Sequence, residues 1–113
     1  MEPEIAQAMV YGDNHPHIVA LLVPDDEWLK SWAEETGQSP HLADVAQDED
    51  LARALRPVID QINEKLSNIE KVRRYIIAEE PFTIDNAQMT PTMKVRRHKL
   101  KDIYGERLEL LYS

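Results

Sequence analysis

The stretch Ile18-Val19-Ala20-Leu21-Leu22-Val23 constrains this chain more than any other. It is too short and too continuously apolar for an amphipathic helix, so it reads as a buried strand that begins near His17. Pro24 closes it, because proline brings no N–H to a ladder. Ahead of it, Ile5 to Tyr11 is apolar and partly alternating, which suits a partner strand. Gly12-Asp13-Asn14-His15-Pro16 between them is dense in turn formers, so the pair reads as a β-hairpin.

Helical signals follow. Asp25 or Asp26 is placed to cap a helix running to Glu35, with Trp28, Leu29 and Trp32 on one face and Gly37 as the stop. Ser39 to Gln47 is a polar connection with room for a short helical turn. A longer helix is expected from about Asp50 to Leu66, burying Leu51, Leu55, Val58, Ile59, Ile62 and Leu66. Pro57 inside it should kink it or mark the first turn of its second half. Val72-Arg73-Arg74-Tyr75-Ile76-Ile77 reads as a third strand ending near Ala78, and Ile84 to Thr92 as a polar loop. A last helix should start between Val95 and His98 and run toward Leu111, interrupted or restarted near Gly105. The expected fold is α+β: a small antiparallel or mixed sheet of about three strands covered by helices.

At 113 residues the chain is one domain, and its 42% hydrophobic and 30% charged content is that of an ordinary soluble protein. A formal net charge of −8 argues against general nucleic-acid binding, which relies on a broad positive field. With no cysteine, disulfides and thiolate chemistry are excluded. No apolar run approaches the roughly 20 residues that span a bilayer. Charge is uneven, however. Acid gathers early, as in Asp25-Asp26-Glu27 and Asp48-Glu49-Asp50, and base gathers late, in Arg73, Arg74, Lys94, Arg96, Arg97, Lys99 and Lys101. Two readings stay open: a solvated surface of mixed sign, or a local basic face that meets phosphate.

Motifs for catalysis are few. Three glycines cannot build a phosphate-cradling loop. His15 and His17 flank Pro16 without a third ligand at a suitable spacing, so they read as solvated turn residues and no metal site is expected. The tryptophans read as core or interface aromatics. The exception is the loop before the last helix, where Thr90 and Thr92 surround Pro91 and lead to Lys94. Proline stiffens the approach, threonine hydroxyls bond backbone or phosphate, and lysine places a compact cation on a long stem. Taken alone, a lysine on such a loop is ordinarily a solvated side chain.

A wider pattern changes that reading. The run Glu80-Pro81-Phe82-Thr83-Ile84-Asp85-Asn86-Ala87-Gln88-Met89-Thr90-Pro91-Thr92-Met93-Lys94-Val95-Arg96-Arg97 resembles the C-terminal signature of long-chain acyl-CoA synthetases, in the adenylate-forming, AMP-binding superfamily. The segments Ala8 to Asp25 and Ile62 to Tyr75 are similar to the opening strands and the middle helix and strand of the same domain. Ala87 departs from the pattern, which more often has glycine there, and suggests a slightly different turn.

The resemblance implies that residues 1–113 are the C-terminal lid of a two-domain ligase whose large N-terminal domain and hinge lie outside this chain. Such enzymes join a fatty acid to ATP, with Mg2+, and then exchange AMP for coenzyme A. It implies a catalytic role for Lys94 in adenylation, site-shaping or nucleotide-contacting roles for Thr90 and Thr92, and a basic motif position, structural or nucleotide-facing, for Arg97. The lid alone is expected to be inactive and to hold no cofactor. Its partner would be its own large domain, with no nucleic acid and no transmembrane segment. The expected location is cytoplasmic, with a membrane-peripheral site left open for the full-length enzyme. Two alternatives stand beside this: a free-standing binding or regulatory module using the basic face of Arg96, Arg97, Lys99 and Lys101, or a ligase lid serving another carboxylic acid. Met93 before Lys94 favours the long-chain branch over peptide-synthesis adenylation domains, which usually carry Gly-Lys.

Overall fold

The computed structural model describes residues 3–12, 15, 17–66, 71–92 and 94–112. Along them lie β1 (Ile5–Tyr11), β2 (Ile18–Pro24), α1 (Asp26–Thr36), α2 (Leu42–Val45), α3 (Glu49–Glu64), β3 (Val72–Ile77) and α4 (Arg97–Leu110). The sheet has three strands in the order β1-β2-β3. β1 runs antiparallel to β2, and β3 runs parallel to it. The α+β class and the mixed three-stranded sheet are therefore as the sequence implies. Asp13, Asn14, Pro16, Ser67 and Met93, named above, fall outside the described residues.

β2 is the middle strand, and its continuous apolar run follows from that position. Ala20 and Leu22 face a core built with Leu29, Trp32, Ala33, Val45, Leu51, Leu55, Val58 and Ile59 of the first three helices. Val19, Leu21 and Val23 face a second core made with Phe82, Met89, Leu100, Tyr104 and Leu108, from α4 and the segment before it. Residues 19–23 are at most 2% exposed. No position on this stretch has water to face, so none is polar.

The helix ends follow local chemistry. Asp25 Oδ2 accepts from the Trp28 N–H at 3.1 Å, and Gly37 closes α1 at φ 71°. Asp48 caps α3 by accepting from the Asp50 N–H at 2.8 Å. α3 continues through Pro57, which lies exposed. One expectation about helix interiors fails: α4 runs unbroken through Gly105, where an added Cβ would meet nothing within 4 Å. There packing of the buried stripe outweighs a local breaker. Ile62 and Leu66 are only partly buried, and α3 ends at Glu64 rather than Leu66. There Asn63 exchanges two 2.9 Å hydrogen bonds with the backbone of Val72, tying the end of the helix to the start of β3.

The histidines of the hairpin end are not simply solvated. His15 stacks on Tyr112 at 3.8 Å, and its Nε2 lies 2.8 Å from Glu109 Oε2. The Tyr112 hydroxyl spans the main chain at Tyr11 and His17, so the C-terminal end of the fold clamps the β1–β2 pair.

Two predictions follow. Gly105→Ala should raise stability by about 0.5–1 kcal/mol in urea unfolding, since the helix gains propensity and the added methyl meets no neighbour. Burial, the leading cause in each case, pushes the Tyr75, Tyr104 and Tyr112 hydroxyls above the ordinary tyrosine value. The unfolded chain releases these protons near pH 10, before the folded chain does. Their stabilisation is thus full below about pH 10 and is lost as pH rises through the folded-state values. Unfolding midpoints at about pH 9 and about pH 11 should differ in that direction.

Candidate functional site

The segment from Glu80 to Arg96 is folded more tightly than a polar loop. Phe82, Gln88 and Met89 are buried in it, and Met89 makes an isolated antiparallel bridge to Val95. Asn86 organises the first half. Its Oδ1 accepts from the N–H groups of Thr83 and Gln88, and its Nδ2 donates to the Pro81 carbonyl and to Glu80. The Thr83 hydroxyl accepts from the Asn86 N–H in return, at 3.1 Å. The Phe-Thr and Asn positions of the motif are thus a turn-building pair.

Ala87 follows with φ 64°, in the left-handed region that glycine enters freely. The turn is therefore the one a glycine would take, not the altered turn the substitution suggested. For an alanine this conformation costs about 1–2 kcal/mol, met by the surrounding bonds. They include those from the Gln88 and Met89 N–H groups to the Thr83 carbonyl.

The second half presents the lysine. The Thr90 N–H donates to the Lys94 carbonyl at 2.8 Å, and the Lys94 N–H donates back to the Thr90 hydroxyl at 3.2 Å. The Thr90 and Thr92 hydroxyls lie 2.9 Å apart. Thr90, half-buried, thus closes the tip, while Pro91, Thr92 and Lys94 are exposed. Among the described residues the Lys94 ammonium has no ion-pair or hydrogen-bond partner. Arg97 is not part of the turn: it is the first residue of α4, exposed. The Arg96 N–H donates to the Gln88 carbonyl, which anchors the loop exit.

The start of α4 is electrostatically unusual. Its first turn contains no acid, and Arg96, Arg97, His98 and Lys99 are all exposed there. A helix N-terminus already carries partial positive charge and is stabilised by acids, each cation there costing about 0.3–1 kcal/mol. Stability alone would not place these residues at this end. The result is a local positive field beside Lys94 on a protein of net charge −8.

Sequence reasoning missed two residues. Gln88 is buried: its Nε2 donates to Glu80 at 3.1 Å, and its Oε1 has no partner among the described residues. Gln7 reaches the loop from β1, 75 residues away, accepting from the Phe82 N–H at 2.8 Å and donating to the Phe82 carbonyl at 2.9 Å. Its second amide hydrogen points to Met89 Sδ at 3.3 Å. A signal was present, since Gln7 lies midway between Ile5 and Met9, both buried.

With this geometry in view, relatives can be compared. The family model of the AMP-binding enzyme C-terminal domain matches residues 1–113. The chain belongs to that family. A long-chain-fatty-acid–CoA ligase of Mycobacterium tuberculosis is 33% identical over 98% of this chain, and human long-chain-fatty-acid–CoA ligase 6 is 31% identical over 96%. The chain spans only 19% and 16% of those relatives. Among solved structures, the adenylation domain of a carboxylate reductase from Mycobacterium chelonae is similar with a TM-score of 0.76 and 29% identity. That match covers 97% of this chain and 16% of that one. The A-PCP didomain of a Segniliparus rugosus carboxylic acid reductase, solved with AMP, is 32% identical with a TM-score of 0.65, covering 97% and 14%.

Relief of the strained turn offers a direct check. Ala87→Gly should stabilise the fold by up to about 1 kcal/mol, the gain in the left-handed region being partly offset by glycine's freer unfolded chain. A decrease in the unfolding midpoint would contradict the strain assigned to Ala87.

Proposed function

We propose that this chain is the mobile lid of an ATP-dependent long-chain fatty acyl-CoA synthetase, with Lys94 as its catalytic contribution to acyl-adenylate formation. The observation that carries the reading is the Thr90–Lys94 tip: a turn closed by Thr90, anchored at both ends, that holds out a lysine with no internal partner among the described residues. A surface lysine with no task needs no such scaffold.

The chemistry suits a cation delivered from outside. A fatty carboxylate attacking the α-phosphate of ATP brings two anions together, and negative charge grows on the phosphoryl oxygens as the new P–O bond forms, the bond to the β-phosphate breaks and pyrophosphate leaves. A positioned ammonium stabilises that state more than the separated reactants. The positive start of α4 would draw the lid toward the polyphosphate. Closure would then gate adenylation, and withdrawal of the lid would open the way for coenzyme A to displace AMP. Thr90 acts by shaping the tip, Thr92 is exposed for phosphate contact, and Arg97 adds to the field. Mg2+ is expected with the ATP, but the described residues gather no group of three His, Asp or Glu side chains to hold it. No helix among the described residues is long and apolar enough to cross a membrane.

The similarity to carboxylate reductase adenylation domains, at 29–32% identity, is comparable to that with the ligases. It favours a second reading in which the lid serves another carboxylic acid or a different thiol acceptor.

In the protein that carries this chain with its large domain, Lys94→Ala should slow fatty-acid-dependent exchange of pyrophosphate into ATP by about 10²–10³-fold. Thioester formation from supplied acyl-adenylate should be spared. Equal loss in both half-reactions would sink the role given to Lys94. Running the exchange across a panel of acids, with coenzyme A as acceptor, separates the two readings.

A further inference from the structure

We infer that Gln7 is a positioning residue for the lysine loop, setting where Lys94 stands when the lid closes; this rests on the role proposed for Lys94. Three facts carry it. First, every hydrogen-bonding capacity of the Gln7 amide that faces the loop is used. The Phe82 N–H must be met by an acceptor and the Phe82 carbonyl by a donor, so the amide orientation is fixed and the contact is bidentate. Its remaining amide hydrogen goes to Met89 Sδ, one residue before the Thr90 tip.

Second, the strand register holds Gln7 on the side of the loop. From Gln7 to Tyr11 the β1–β2 pairing is regular, so Gln7 lies on the face of Met9, which packs into the core under α4. The register shift between Ile5 and Gln7 turns Ile5 away, into the core under the first three helices, and leaves the loop-facing position at this end of β1 to Gln7.

Third, the hydrogen bonds of Gln7 tie the loop to the sheet, beside the packing of Phe82 and Met89 in the core under α4. The loop's own bonds at Asn86, Thr83 and Thr90 are local and fix its shape. Those from Gln7 join that shape to the sheet. Met89 then passes the placement on through its bridge to Val95, next to Lys94. A loop correctly folded but free to pivot would still carry its lysine, in the wrong place. A displacement of about 1 Å at a reacting centre costs up to about 10²-fold in rate.

The test uses the protein that carries this chain with its large domain. Gln7→Met keeps the length and volume of the side chain and removes the bonds to Phe82. Pyrophosphate exchange should fall by about 10²-fold, while thioester formation from supplied acyl-adenylate stays within a few-fold of wild type. Amide hydrogen exchange should quicken across residues 82–95 and remain unchanged in β2, which a general loss of stability would not produce. Unchanged adenylation, or equal loss in both half-reactions, overturns the inference. Gln7→Glu keeps an acceptor for the Phe82 N–H and loses the donor bonds, so it should fall between wild type and Gln7→Met. It decides the same comparison if Gln7→Met does not fold. Lys94→Ala, run in parallel, separates the two claims. If it spares adenylation, the role given to Lys94 fails whatever Gln7 does; if it abolishes adenylation selectively and Gln7→Met does not, only the positioning role fails.

Discussion

Because β2 is central in the sheet and covered on both faces, its alternate side chains belong to two different cores, and each half of the domain is built against it. Ala20 and Leu22 hold α1, α2 and α3 in place; Val19, Leu21 and Val23 hold α4 and the segment that carries Lys94. The lysine loop has no core of its own. Its buried residues Phe82 and Met89 lie in the layer shared with Met9, Leu100 and Tyr104. The place of the loop is therefore a property of the sheet, and a change in strand register would move it.

Register is where the sheet departs from simple alternation. One shift lies in β1 between Ile5 and Gln7, and another between Ile18 and Val19 where β2 meets β3. In β3, Val72, Tyr75 and Ile77 all pack toward the core of the first three helices, which a regular period of two would not allow. Since one residue of slip exchanges the faces of a strand, each shift decides which side chains see which helix layer. In β1 the shift sends Ile5 to the first core and leaves Gln7, on the face of Met9, toward the lysine loop.

The loop combines strain and charge that stability alone would remove. Ala87 occupies left-handed backbone, and the first turn of α4 gathers cations where acids would be favoured. Both features adjoin the exposed tip with Lys94. Bonds from Asn86, Thr83 and Gln7 offset these costs. Such local conflicts are expected where a fold serves chemistry.

The apolar run at Ile18 to Val23, the turn formers after Tyr11, the helical stripes and the ends of α1 at Asp25 and Gly37 were legible because each depends on neighbours in the chain. One helix breaker was misread for the same reason: Gly105 argues locally, and packing of Leu100, Tyr104 and Leu108 overrides it. The loop motif identified Lys94, Thr90, Thr92 and Arg97 as candidates, but not their different stations, with Thr90 in the turn, Thr92 and Lys94 at its tip, and Arg97 on a helix. Neighbouring residues were enough to place the elements, the family and a candidate lysine. That β2 serves two cores, that β1 shifts its register and that Gln7 grips Phe82 across 75 residues emerges only from packing. Periodicity reports a residue's neighbours three or four places away, whereas a bulge and a long-range amide clamp exist only once distant segments have packed.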